Sequence, residues 1–348
     1  MTEATAAAAG NYLVDVAERL NLGCDPATIR AVFARACGGR LATRMPDGRR
    51  ASGLTITGTP FEVSVAGGRG RYTPAIRYLT EAGTDEAVFT SRIDVQLAAI
   101  RDLVDWLPNG GRKAADVLCS FVTTLYPDPA HVSRRQRSAT WTGIVHHSAA
   151  PSQLNRLKVY GTPPMVPKTL ERLYSVLPGF HELVSVPAND EHFRYGIAAI
   201  EVDEGGGISH KFYLSSRSQD TAVPMKLVRY FGEPAWEVLS ELVRCGVDPA
   251  GLHNHDFFVC CSRDSSGTES LTLSVTAGRD DDLAPLVYEL ASRHHGSTCA
   301  VDALSHVAKS QGANWRYTAF GLGFSAADGI DKLNVYGTPT WDADNPGR

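Results

Sequence analysis

Three stretches of this chain repeat one another, and they limit its fold more than any other feature. Leu157-Lys158-Val159-Tyr160-Gly161-Thr162-Pro163 returns near the C-terminus as Leu333-Asn334-Val335-Tyr336-Gly337-Thr338-Pro339. Between them, Lys211-Phe212-Tyr213 carries the same core. Alternate side chains of a strand share one face, so Lys158 points the same way as Tyr160, and Lys211 the same way as Tyr213. Aligned on these positions, the chain shows five copies of one unit, with Arg77, Lys158, Lys211, Thr272 and Asn334 at equivalent places. Two residues further on stand Leu79, Tyr160, Tyr213, Ser274 and Tyr336. Repeats of this size decide the architecture before any single motif does.

Each unit reads as strand, turn, strand, helix. Strands are predicted over 54–66 and 73–82, 138–147 and 155–161, 192–202 and 208–215, 255–262 and 270–277, and 315–324 and 333–337. The turns include Gly67-Gly68-Arg69-Gly70 and Glu204-Gly205-Gly206-Gly207, short enough to join antiparallel neighbours and not parallel ones. Amphipathic helices are predicted over 91–107, 113–125, 167–177, 224–245, 283–293 and 299–309. The first strands also echo one another, in Phe193-Arg194-Tyr195 and Trp315-Arg316-Tyr317. Ten antiparallel strands close most readily into a barrel with the helices outside, because closure removes exposed edges. Eight strands leave barely enough room for one small ligand, so ten predict a solvent-sized central chamber. The expected fold is therefore an α+β (α/β-type) ten-stranded antiparallel barrel, a single domain over 1–348. Residues 53–340 form its repeats, and residues 1–45 form flanking helices, the second opened by Asp25-Pro26 as N-cap and N1.

The net charge is −4, so a nucleic-acid footprint is not indicated, and any anion must be met by cations placed locally. The seven cysteines form no Cys-x-x-Cys pair and read as reduced thiols. No apolar run approaches the roughly 18 residues of a membrane span, and no secretory leader is evident. A cytoplasmic protein without nucleic-acid or membrane partners is the expectation.

Thr59-Pro60-Phe61-Glu62-Val63-Ser64, Ile76-Arg77-Tyr78-Leu79-Thr80-Glu81 and the Lys-x-Tyr strands ending in Tyr336 together resemble the ABBA aromatic prenyltransferases, and within them the bacterial-type dimethylallyltryptophan synthase (indole prenyltransferase) family. The resemblance spans residues 53–340 at the level of repeats. It implies a diphosphate site of Arg77, Lys158 and Lys211, a tyrosine shield of Tyr160, Tyr213 and Tyr336, and Glu62 facing an indole. The sequence departs from the family at Ser209, where an arginine is common, and at Thr272 and Ser274, where a polar–tyrosine pair is usual. A first-strand lysine of the second unit has no clear match. His146 and His147 lie in that stretch, and His147 is the candidate for taking up the ring proton.

The chemistry behind these residue types is ionisation of an allylic diphosphate beside an electron-rich ring. Cations from neighbouring strands give charge-assisted hydrogen bonds to the leaving group. Tyrosine faces stabilise an allyl cation and screen it from water. A carboxylate accepts the indole N–H as positive charge builds on the ring. The reading is transfer of a dimethylallyl group from dimethylallyl diphosphate to tryptophan or an indole-containing small molecule. Within the same chemistry the acceptor is alternatively a phenol or other fused arene, with dimethylallyl or geranyl diphosphate as donor. The reading from a different class is a barrel that binds a small anion without turning it over. Asp280-Asp281-Asp282 reads as a helix-opening acidic run and not as a magnesium motif, so no metal or other cofactor is expected, with Mg²⁺ at most stimulatory.

Overall fold

Strand β1 (Phe61–Gly68) pairs antiparallel with the last strand, β11 (Gly329–Trp341), in the register Ser64 to Tyr336. That pairing closes a sheet in which, apart from one two-residue rung beside β1, every strand lies beside its neighbours in sequence. The computed structural model describes residues 2–341 apart from 46, 133–135, 137–138, 164–168, 178, 181–185, 188–189, 279–280 and 326. Ten long strands make the closed barrel: β1, β3 (Ala75–Thr80), β4 (Thr140–His147), β5 (Arg156–Gly161), β6 (Phe193–Asp203), β7 (Ile208–Ser216), β8 (Asp256–Arg263), β9 (Glu269–Thr276), β10 (Ala313–Ser325) and β11. A two-residue rung, β2 (Arg71–Tyr72), folds back on β1 through Arg69 and Gly70, both at positive φ. The Gly-rich stretch of residues 67–70 is thus a hairpin turn, as its composition predicts.

Helices α1 (Thr2–Arg19), α2 (Pro26–Ala36), α3 (Phe89–Val104), α4 (Arg112–Leu125), α5 (Thr169–Val176), α6 (Val223–Phe231), α7 (Glu233–Arg244), α8 (Ala284–His294) and α9 (Cys299–Ser310) flank the barrel. Asp25 caps α2 by accepting from Ala27 and Thr28 N–H. On β1, β5 and β11 the side chains alternate: Val63, Val65, Leu157, Val159, Leu333 and Val335 are buried outward against the helices, and the residues between them face the lumen. Tyr12 on α1 stacks on Trp315 at 6.2 Å and donates its hydroxyl to Leu304 O, fastening the N-terminal helix to the last unit.

The glycine in each Tyr-Gly-Thr-Pro repeat has a packing cause. A Cβ at Gly161 would lie 2.3 Å from Leu125 on α4, and one at Gly337 would lie 2.2 Å from the Trp315 ring. The repeat keeps glycine where something bulky covers the strand's outer face.

Three expectations are corrected. Residues 54–60 are not part of the first strand but a turn-rich segment, held by Thr55 Oγ1 donating to Thr59 O and by the Thr57–Thr59 hydroxyl pair. The predicted helix over 224–245 is two helices, broken at Gly232 (φ 62°) just before Pro234, a backbone conformation glycine adopts without strain. The last strand is much longer than 333–337. The predicted boundaries at residues 138 and 167 lie outside the described residues.

Candidate active site

Inside the barrel the side chains fall into layers set by register. Arg77 on β3 lies opposite Val145, and Ser64 opposite Arg77. Lys158 on β5 pairs with Gly143 on one side and Glu201 on the other. One layer thus contains Arg77, Lys158 and Lys211, the predicted cations. Arg156, Glu201, Lys332 and Tyr336 line the same cavity. Lys158 Nζ sits 5.3 Å from the Tyr160 ring centre. Arg77 Nη1 donates to Asn334 Oδ1 at 3.4 Å, while its buried Nε has no partner among the described residues. A buried donor left over is free for an anion from outside the chain.

The void among these side chains is about 60 Å³, room for a few waters. The expected open chamber is therefore largely filled by the long lysine and tyrosine side chains. Lys332 opens onto this space, yet protein surrounds its ammonium group. Burial, together with Arg77, Lys211 and Lys158, draws its pKa down to about 7. The residue as a whole is solvent-exposed, which moderates the effect. Burial, and then Lys158, likewise lowers Lys211.

One step along the strands lies an aromatic layer. Tyr160 and Tyr213 have ring centres 5.9 Å apart, and Trp141 on β4 continues the arc at 6.3 Å from Tyr160. Tyr336 stands opposite Ser64. Burial raises the pKa of all three tyrosines, so they are neutral phenols.

Glu62 belongs to this second layer, opposite Leu79, and is 9% exposed. Thr318 Oγ1 donates to Glu62 Oε1 at 2.5 Å. Burial outweighs that hydrogen bond and pushes the carboxyl up to about 7. Thr318 reaches it because of a β-bulge: Tyr317 pairs with Gly337 and Ala319 with Tyr336, leaving Thr318 unpaired between them. A bulge re-aims a side chain in this way. The echo of this segment, Phe193-Arg194-Tyr195, is followed by a matching bulge between Tyr195 and Ile197.

Beyond the aromatic layer the barrel is stoppered. Glu81 is fully buried, 2.8 Å from Arg92 on α3, and accepts from Ser52 Oγ at 2.5 Å and Trp141 Nε1 at 3.2 Å. Trp141 is thereby held upright against Tyr160.

The structure thus gathers Arg77, Lys158, Lys211, Tyr160, Tyr213, Tyr336 and Glu62 in one lumen. It does not bring His147 to Glu62. His147 is the last residue of β4, opposite Ala75 and on the far side of the cation layer from Glu62, and its Nδ1 accepts from Ala149 N–H at 3.0 Å. His146 points outward, 3.2 Å from Tyr78 OH, with its pKa lowered to about 4 by burial. Sequence reasoning missed Arg156, Glu201, Lys332, Trp141 and Thr318. Of the acidic run, Asp282 accepts from the Ala284 N–H that opens α8 and Asp281 from Gly278 N–H, and Asp280 lies outside the described residues. Among the described residues no three His, Cys, Asp or Glu side chains are grouped to hold a metal ion, and no helix is long and apolar enough to cross a membrane.

No family model matches the chain, and no curated protein matches it by sequence. Solved structures do match. A 5-dimethylallyltryptophan synthase from Streptomyces coelicolor shares 18% identity over 99% of both chains, with a TM-score of 0.68. A 6-dimethylallyltryptophan synthase from Micromonospora olivasterospora, solved with DMASPP and Trp, shares 16% identity over 94% of this chain and 95% of its own, at 0.69. The prenyltransferase PriB shares 18% identity over 96% of each chain, also at 0.69. The chain therefore has the closed ABBA barrel of the aromatic prenyltransferases and resembles the bacterial dimethylallyltryptophan synthases in fold.

Proposed function

We propose that this protein transfers a dimethylallyl group from dimethylallyl diphosphate to tryptophan or another indole-containing small molecule, without a metal cofactor. One observation carries the reading: a buried carboxylate, Glu62, lies in the tyrosine layer, one layer from a cluster of five cations. A site meant only to bind an anion gains nothing from a desolvated acid on its inner side. The fold relatives that carry dimethylallyltryptophan synthase in their names, one of them holding DMASPP and Trp, favour the same substrates.

In this mechanism Arg77, Lys158 and Lys211 take the diphosphate oxygens, with Lys332 and Arg156 beside them. Space for the donor comes from the lysine side chains, whose flexible stems swing toward the phosphates. The C–O bond to the allyl group breaks, the electron pair leaves with the diphosphate, and the cations stabilise that charge. The allyl cation is left against Tyr160, Tyr213 and Tyr336. Each face is worth roughly 0.5–2 kcal/mol to a cation, more where water is excluded. Trp141 extends this screen. The arene attacks from the Glu62 side, and Glu62 accepts its N–H as the ring becomes positive. A carboxyl poised near neutrality is well matched to that task. The alkylated ring carbon then gives its proton to the released pyrophosphate, the C–H electron pair restoring the aromatic ring. His147, on the far side of the cation layer, has no part in it.

The test is incubation with dimethylallyl and geranyl diphosphates against tryptophan, indoles and phenols, with mass detection of products. Alkylated tryptophan or indole is the expected outcome. Alkylation of phenols alone, or none at all despite donor binding, would refute the indole assignment.

A further inference from the structure

The proposed chemistry leaves one buried charge without a use. Glu201 on β6 is 7% exposed and projects into the cation layer. Its Oε2 is 2.9 Å from Lys158 Nζ and 3.5 Å from Lys211 Nζ, and its Oε1 is 3.5 Å from Arg156 Nη1. From the other strands Arg77, Lys332, Tyr160, Tyr213, Tyr336 and the Cys260 thiol surround the same group of charges. Asp203, further along β6, turns its carboxylate to the Gly205 and Gly207 N–H groups instead. Burial alone would raise Glu201, but Lys158 and Lys211 outweigh it and hold it well below the usual carboxylate range. It is therefore an anion already seated where a diphosphate is to bind.

We infer that Glu201 is an intramolecular competitor for diphosphate: it pins Lys158 and Lys211 together in the empty site and, by reclaiming them, drives the pyrophosphate product out. The inference rests on the diphosphate reading of the cation layer. Two lysines held on one carboxylate oxygen lose their rotamer freedom before the donor arrives, which lowers the entropy cost of binding. Once they turn to phosphate, Glu201 stays buried with fewer partners and a like charge beside it. That penalty falls harder on the product. Inorganic pyrophosphate carries one more ionisable oxygen than the prenyl ester, so an uncompensated ring of cations would hold it more tightly than the substrate. At about 6 Å and an effective dielectric near 20, one carboxylate repels each unit of phosphate charge by a factor on the order of 100. Part of this is offset by the pairing with lysine that is given up.

The experiment is calorimetric titration of inorganic pyrophosphate, without acceptor or Mg²⁺, into the wild type, Glu201→Gln and Glu201→Asp. Glu201→Gln should bind pyrophosphate about ten- to hundredfold more tightly, and a non-hydrolysable donor analogue by a smaller factor. Glu201→Asp, whose shorter side chain withdraws from the lysines, should fall between the two. Glu201→Gln should also show product inhibition at correspondingly lower pyrophosphate. Pyrophosphate binding by the wild type that is unchanged or weaker in both variants overturns the inference alone. No binding by any of the three overturns the diphosphate reading together with it. Should Glu201→Gln fail to fold, tighter binding by Glu201→Asp supports the inference and unchanged or weaker binding overturns it.

Discussion

Replacing Glu62 with glutamine should make the protein more stable and much less active, and the stability change should depend on pH. The carboxyl is raised by burial from 4.5 to about 7 in the folded chain. Between those values the folded state keeps a proton that the unfolded state has lost, so stability falls as pH rises through that window and the full penalty is present above about 7. At 1.36 kcal/mol per pKa unit the penalty is about 3 kcal/mol at pH 8.5 and under roughly 1 kcal/mol at pH 5. Glutamine keeps the shape and an oxygen for Thr318 but cannot ionise. Unfolding entropy of about 2.1 cal/mol/K per residue over 348 residues converts 3 kcal/mol to a rise in Tm of about 4 °C. Thermal unfolding of wild type and variant should therefore show a gain of about that size at pH 8.5 and about 1 °C at pH 5. The same change should cost roughly 10²–10⁴-fold in prenyl transfer while slow hydrolysis of the donor persists, because the cation layer is untouched. In the wild type kcat/KM should rise with pH through about 7, and the variant should lack that limb. An equal Tm shift at both pH values, or loss of hydrolysis along with transfer, would refute the placement of Glu62 as a desolvated acid on the acceptor side.

Other substitutions should fail in other ways. Lys158→Ala should lower transfer and hydrolysis together by at least tenfold and raise the KM for the donor, read from both products in one assay; a fall in transfer alone would count against its contact with the leaving group. Tyr213→Ala should leave the fold intact and divert donor to the free prenyl alcohol, measured as the ratio of alcohol to alkylated acceptor. Activity should survive EDTA, with added Mg²⁺ changing the rate no more than a few-fold; complete loss restored by Mg²⁺ would reveal a metal requirement.

What could be seen in the sequence, and what could not, follows from how a strand displays its side chains. Lys158 with Tyr160 and Lys211 with Tyr213 were legible because both members of each pair share a face and the pair recurs. Arg156 and Lys332 belong to the same faces, each two residues before a layer position, but no repeat marks them. Glu201 was hidden for a stronger reason. Counting from Arg194, whose neighbours Phe193 and Tyr195 pack outward, strict alternation sends residue 201 to the outside. The bulge between Tyr195 and Ile197 reverses the parity, so that Ala198, Ile200 and Val202 are buried in the outer core and Glu201 meets the lysines. On β10, Trp315 and Tyr317 pack outward, so alternation already turns Thr318 inward, but no repeat marks it. Pro234 after Gly232 announced the break between α6 and α7, but hydrophobic periodicity runs straight across it.

The pairing of β1 with β11 also has a meaning for how the protein is made. Ser64 meets Tyr336 only after the chain as far as β11 has left the ribosome, because domains acquire their contacts as synthesis proceeds from the N-terminus. Until then β1 and β10 are unpaired edges, each presenting a row of backbone donors and acceptors to any passing strand. Neighbouring hairpins are free to form early, since their contacts are local, whereas the seam joins residues far apart in sequence and waits on a costly loop closure. The lumen, and every contact between Glu62, Thr318 and Tyr336 within it, is thus the last thing to come into being. A nascent chain halted before β11 is a curled sheet with two sticky borders and no interior.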